Sequence, residues 1–345
     1  MRIVERLQSY NVPGEPGFDD DILEAVADAA VWQDRLSFRA LAAKYDISSG
    51  PRIVRPRDDL KPLQVLELVP EQDYDESRAT VCHIPYANAI SDNWVMHAIR
   101  LQATKPDERM LLMTGNASSI GMQAGTLSIR QALRVGFKKD LGPTVASTQA
   151  YLQERGITDV NHVGYSFGAD KAATAMSMAG GIGQRVRGGV FVEPVTAVKR
   201  GFFELSRTFG KTRSVQQRYI RESESAPYNE IWDEDNIVKM LAFAGGMARF
   251  SNIMIANALT DDHFDKRARG ALDSQPDSRV QVSWGTVSEL APDERLLPLT
   301  DNLAEDYGED RVRRQRLNGM HHAGVDNINL FAAMIRQGLR NTVEG

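Results

Sequence analysis

Apolar residues along this chain recur at two spacings, and the elements they predict alternate. Ile22, Ala25, Val26, Ala29 and Leu36 fall at helical intervals behind Asp19, Asp20 and Asp21, whose charges suit a helix start. Segments 63–69 and 79–84 read as strands, and the polar EQDYDES between them suggests an antiparallel pair at one sheet edge. A helix carrying Trp94, Val95, Ala98, Ile99 and Leu101 follows, then a short apolar strand at 109–113. One weak strand is expected within 133–137, and a helix over 144–155 closes at Gly156. Val160 and Val163 mark a strand that leads into an Ala- and Met-rich helix, and 186–195 is the next strand. Segment 197–278 breaks the alternation, being helix-like and rich in aromatic residues and methionine. Strands return at 279–284 and 312–317, and a last helix over 327–339 has Ile328, Phe331, Met334 and Ile335 on one face. This order predicts an α/β fold, a mostly parallel sheet with helices on both faces.

The same pattern divides the chain. Residues 1–60 form a helical extension packed on the main domain, with an oligomer contact as the alternative, and 50–61 reads as the linker out of it. Residues 61–196 and 279–345 make the core, and 197–278 is a helical cap. With 345 residues, 42% hydrophobic and 25% charged, the chain can bury a sizeable core. Its net charge of -5 argues against a nucleic-acid surface. The single cysteine, Cys82, excludes an intramolecular disulfide and a Cys-based zinc site, and reads as a buried, inert thiol. No apolar run suits a signal peptide or a membrane span, so a soluble, cytoplasmic protein is expected.

Candidate chemistry centres on Gly164-Tyr165-Ser166-Phe167-Gly168, a G-x-S-x-G pattern set between a strand and a helix. Ser166 would sit on a sharp turn, and the flanking glycines would let strand and helix approach closely. A serine hydroxyl needs a base to take its proton, and the base needs an acid to hold its tautomer. On such an elbow the chain order is Ser, then Asp or Glu, then His. His83, His97 and His162 precede Ser166 and fail that order, and His263 in DDHFD reads as a surface residue. His321 and His322 remain; His321 is placed first, because Asp326 could cap the closing helix and fix the loop. For the acid, Glu289 is placed first and Glu193 second, with Asp293 behind them. An oxyanion hole would use the backbone N–H of Phe167 and one from the Gly115-Asn116 loop. The Gly-rich runs at 180–183 and 210–212 lack the glycines of nucleotide-binding loops, no metal pattern appears, and no cofactor is expected.

With these residues in place the chain resembles the α/β-hydrolase superfamily over roughly 62–196 and 279–345. GYSFG looks like that family's nucleophile elbow, and MTGNAS like its oxyanion loop with Thr114 in place of the usual histidine. WGTVSELAP is similar to the family's acid loop, but Ser288 occupies the acidic position and Glu289 comes one residue late. Some lipases of this fold take the acid from beyond the strand after the elbow, which is where Glu193 stands. GMHHAG resembles the histidine loop. The resemblance implies a serine hydrolase forming an acyl-enzyme on Ser166 from a small-molecule ester or thioester. The aromatic and Met-rich cap suggests an apolar substrate group. Acyl transfer at the same site, or a non-catalytic binding protein on the same fold, are the alternatives.

Overall fold

The computed structural model describes residues 3–47, 50–70, 73–85, 90–114, 127–231 and 250–344. Eight strands form one sheet in the order β1-β2-β4-β3-β5-β6-β7-β8: β1 Arg52–Val54, β2 Leu63–Leu68, β3 Arg78–His83, β4 Met110–Met113, β5 Asp159–Tyr165, β6 Arg185–Val192, β7 Arg279–Gly285 and β8 Val312–Leu317. β1 and β2 pair antiparallel, as do β2 and β4, and every pairing from β4 to β8 is parallel. Within the all-apolar β4, Met110 and Leu112 enter the core on one face and Leu111 and Met113 the core on the other. Such burial on both sides is what a parallel sheet covered by helices requires.

One layer contains the helices Asp20–Gln33, Asp92–Ala103 and Ile328–Leu339. The other contains Gly142–Glu154, Phe167–Ala179, Phe264–Ser274 and Asp293–Tyr307. The N-terminal helices Ile3–Gln8, Asp20–Gln33 and Phe38–Lys44 bury Leu7, Leu23, Val26 and Leu41 in the first layer's core. Asp19 sits at the N-cap of its helix, yet its side chain makes no cap bond there; it accepts from Gln337 and Arg340 of the closing segment instead. Among the described residues no helix is long and apolar enough to cross a membrane.

Four expectations are corrected. β2 and β3 do not pair with each other, because β4 lies between them, where its fully apolar side chains are buried. The expected linker 50–61 contains β1, a mostly exposed edge strand too short to show a periodicity. Segment 133–137 is helical rather than a strand. It lies in Ile129–Lys138, which opens on a capping box in which Ser128 and Gln131 satisfy each other's backbone N–H groups. Finally, the expected cap does not extend to 278. The helix Phe264–Ser274 packs on Phe167–Ala179 through Phe264, Ala268, Ala271 and Leu272 and shares the sheet's core. Helices Phe202–Glu222 and Phe250–Ala258 precede it, and Trp232, Phe243 and Met247 of the expected cap lie outside the described residues.

Candidate active site

The chain leaves β5 at Tyr165 and enters the helix Phe167–Ala179 one residue later, so Ser166 alone makes the turn. It adopts φ 57° and ψ −128°, and its N–H donates to Val192 O at 2.9 Å. A positive φ at a non-glycine residue is strained by about 1–3 kcal/mol. The flanking glycines are obligatory: a Cβ on Gly164 would lie 2.0 Å from Gly168 O, and one on Gly168 would lie 2.2 Å from His83 O. The elbow helix therefore approaches the backbone of β5 at Gly164 and that of β3 at His83.

His322 Nε2 lies 3.1 Å from Ser166 Oγ, and His322 Nδ1 lies 3.1 Å from Glu193 Oε2. All three side chains are buried. The ring of Tyr165 stacks on the imidazole with centroids 4.9 Å apart, and its hydroxyl donates to His322 O at 2.7 Å. Glu193 follows β6 with φ 52°. Its Oε1 accepts from Gly285 N at 2.6 Å, and its Oε2 accepts from the Ser288 hydroxyl as well as facing His322. Gly285, Ser288 and His322 thus provide partners for both oxygens of this buried carboxylate.

The residues placed first on sequence grounds are corrected here. His321 Nδ1 pairs with Glu289 Oε1 at 3.0 Å in a partly exposed position, and among the described residues neither hydrogen-bonds Ser166. Successive residues of the extended approach to a turn face opposite ways. His321 is extended, and the turn His322–Asp326 carries the second imidazole inward. The cap argument for His321 also fails, because Asn327, not Asp326, accepts from Asn329 N and Leu330 N. Asp293 is engaged by Trp284 Nε1 at 2.7 Å and by the Arg316 guanidinium. Phe167 stands at the N-terminal end of the elbow helix, and Asn116 lies outside the described residues.

Thr114, where the resemblance placed a histidine, is tied back into the sheet: its Oγ1 accepts from Gln64 N at 3.0 Å. Its carbonyl accepts from Lys171 Nζ at 2.7 Å. Sequence reasoning does not single out Lys171, whose only signal is one cation in an otherwise Ala- and Met-rich helix. It is fully buried, and burial brings its ammonium pKa down to about 7. The three histidines that precede the elbow are buried in the fold. His83 Nε2 and His162 Nδ1 meet at 3.0 Å, and burial holds the pKa of His97 and of His162 at about 3. Burial also pushes the Cys82 thiol up to about 12. His263 faces Asp261 at 3.7 Å and is only partly buried.

Solved structures share this arrangement of strands and helices. A bromoperoxidase from Bacillus anthracis superposes with a TM-score of 0.54 at 9% identity, over 83% of this chain and 98% of that one. A serine hydrolase from Cycloclasticus zankles gives 0.53 at 14% identity, over 84% and 97%. The chain has the α/β-hydrolase fold. An esterase from Exiguobacterium antarcticum gives 0.51 at 14% identity, over 82% of this chain and 97% of that one. No protein-family model and no curated protein matches the sequence. In this fold Ser166 follows β5, Glu193 follows β6 and His322 follows β8, so all three residues lie just beyond the C-terminal ends of parallel strands.

Proposed function

We propose that the protein is a serine hydrolase that cleaves a small-molecule ester or thioester through an acyl-enzyme on Ser166. The observation that carries this reading is the unbroken run of contacts from Ser166 Oγ through His322 to the buried Glu193 carboxylate. In the reaction, Ser166 Oγ attacks the carbonyl carbon while His322 Nε2 takes its proton. Glu193 holds the proton on His322 Nδ1 and stabilises the imidazolium. His322 then protonates the departing alcohol or thiol, and the C–O or C–S bond breaks. A water molecule, deprotonated by the same nitrogen, releases the acid and restores the serine. The Phe167 N–H and the Gly115-Asn116 loop are assigned the developing oxyanion.

The structural neighbours named as an esterase and a serine hydrolase agree with this class of reaction. Turnover of p-nitrophenyl acyl esters tests it. The wild type should hydrolyse one or more chain lengths, and Ser166→Ala should lower kcat by on the order of a millionfold. Equal release by the two proteins would overturn the reading.

A further inference from the structure

The helix Ile129–Lys138 is built in three strips. Ala132, Val135 and Gly136 are buried, and Ala132 and Val135 share a core with Phe167, the residue after the candidate nucleophile. Ile129, Leu133 and Phe137, spaced four apart, are 71%, 39% and 69% exposed. Arg130, Arg134 and Lys138 follow them one residue behind, which sets a basic row about 100° round the helix from the apolar one. The helix has no acidic residue, although the chain as a whole carries a net charge of -5. Arg134 is paired with Asp140 at 2.5 Å, and Arg130 and Lys138 are exposed.

We propose that this face docks on the surface of an anionic lipid bilayer. An exposed apolar row beside a basic row is the arrangement of a helix that lies in a membrane interface, the first entering the acyl boundary and the second meeting acidic headgroups. A protein partner would need a broader apolar area than three side chains on one helix supply. The cations on an otherwise acidic chain select a surface of opposite charge. The helix rests on the core that holds Phe167, so docking would bring the lipid surface within about one helix diameter, roughly 10–12 Å, of that core. The proposal does not rest on the hydrolase reading and is tested without turnover.

The experiment is co-sedimentation of the Ser166→Ala chain with vesicles of phosphatidylcholine mixed with phosphatidylglycerol, and with phosphatidylcholine alone. Binding to the anionic vesicles should exceed binding to the neutral ones and weaken as salt is raised. The Leu133→Ser/Phe137→Ser double variant should bind at least about tenfold more weakly. Each of Arg130→Glu and Lys138→Glu should lose roughly fivefold or more on the anionic vesicles alone. These side chains are exposed, and thermal denaturation should confirm that the variants fold. Absence of vesicle binding by the parent chain, or binding equal in the double variant, would overturn the proposal. So would a concentration-dependent dimer that the double variant abolishes while vesicle binding is absent.

Discussion

The Ser288 hydroxyl donates to the Glu193 carboxylate, joining the loop after β7 to the residue after β6. Ser288 stands where the resemblance expected the acid, so that position retains a hydrogen bond to the site but supplies a donor rather than the charge. Gly285 N donates to the other oxygen of the same carboxylate at 2.6 Å. The β7 loop thus holds in place a carboxylate carried just after the neighbouring strand.

The acid assignment separates two carboxylates. Glu193→Gln should lower kcat by about four orders of magnitude, since the imidazole loses the group that fixes its tautomer. Glu289→Gln should change kcat by less than about tenfold, because Glu289 is partly exposed and bonds His321. Steady-state kinetics on one ester substrate would show the contrast, and equal effects would discard the assignment.

The two histidines separate in the same way. His322→Ala should cost on the order of a millionfold in kcat, whereas His321→Ala should retain most of the activity. Comparable losses from both would mean that the loop acts as one unit and that the His321–Glu289 pair is required to hold it.

Much of this arrangement is legible in the sequence, and the limits have physical causes. The elbow can be read because its glycines answer a steric need, a backbone approach so close that an added Cβ would lie about 2 Å from a carbonyl oxygen. The choice of His322 over His321 cannot, because it depends on which way the chain turns after β8. Glu193 can be named but not ranked. What decides for it is the convergence of Gly285, Ser288 and His322 from distant parts of the chain. Segment 133–137 reads as a strand from its apolar residues alone, whereas the capping box Ser128-x-x-Gln131 just upstream is the local signal that marks it as helix.

Gly168 is tested by stability rather than activity. A Cβ there would press on His83 O, which as backbone of β3 cannot move aside cheaply. Gly168→Ala should therefore destabilise the fold by about 3 kcal/mol or more, measured by chemical denaturation. Gly181→Ala is the control and should be close to neutral, since an added methyl there would meet nothing within 4 Å.

Acid should unfold the protein through its buried histidines. His97 and His162 titrate near 3 in the fold, well below the ordinary value of 6.5, so between those limits the unfolded chain binds more protons. The stability they contribute is present above pH 6.5 and is lost as pH falls toward 3, by about 1.4 kcal/mol per pH unit for each histidine. His97→Phe should flatten that slope by one histidine's share, whatever it does to stability at neutral pH. Denaturation midpoints over this range would check it.

The most direct measurement is intact-mass labelling with a fluorophosphonate on the wild type, Ser166→Ala and His322→Ala. One adduct per wild-type chain, none on Ser166→Ala and strongly slowed labelling of His322→Ala would establish an activated serine with His322 as its base. A folded wild type that takes no label, or a His322→Ala variant labelled as fast as the wild type, would contradict that account.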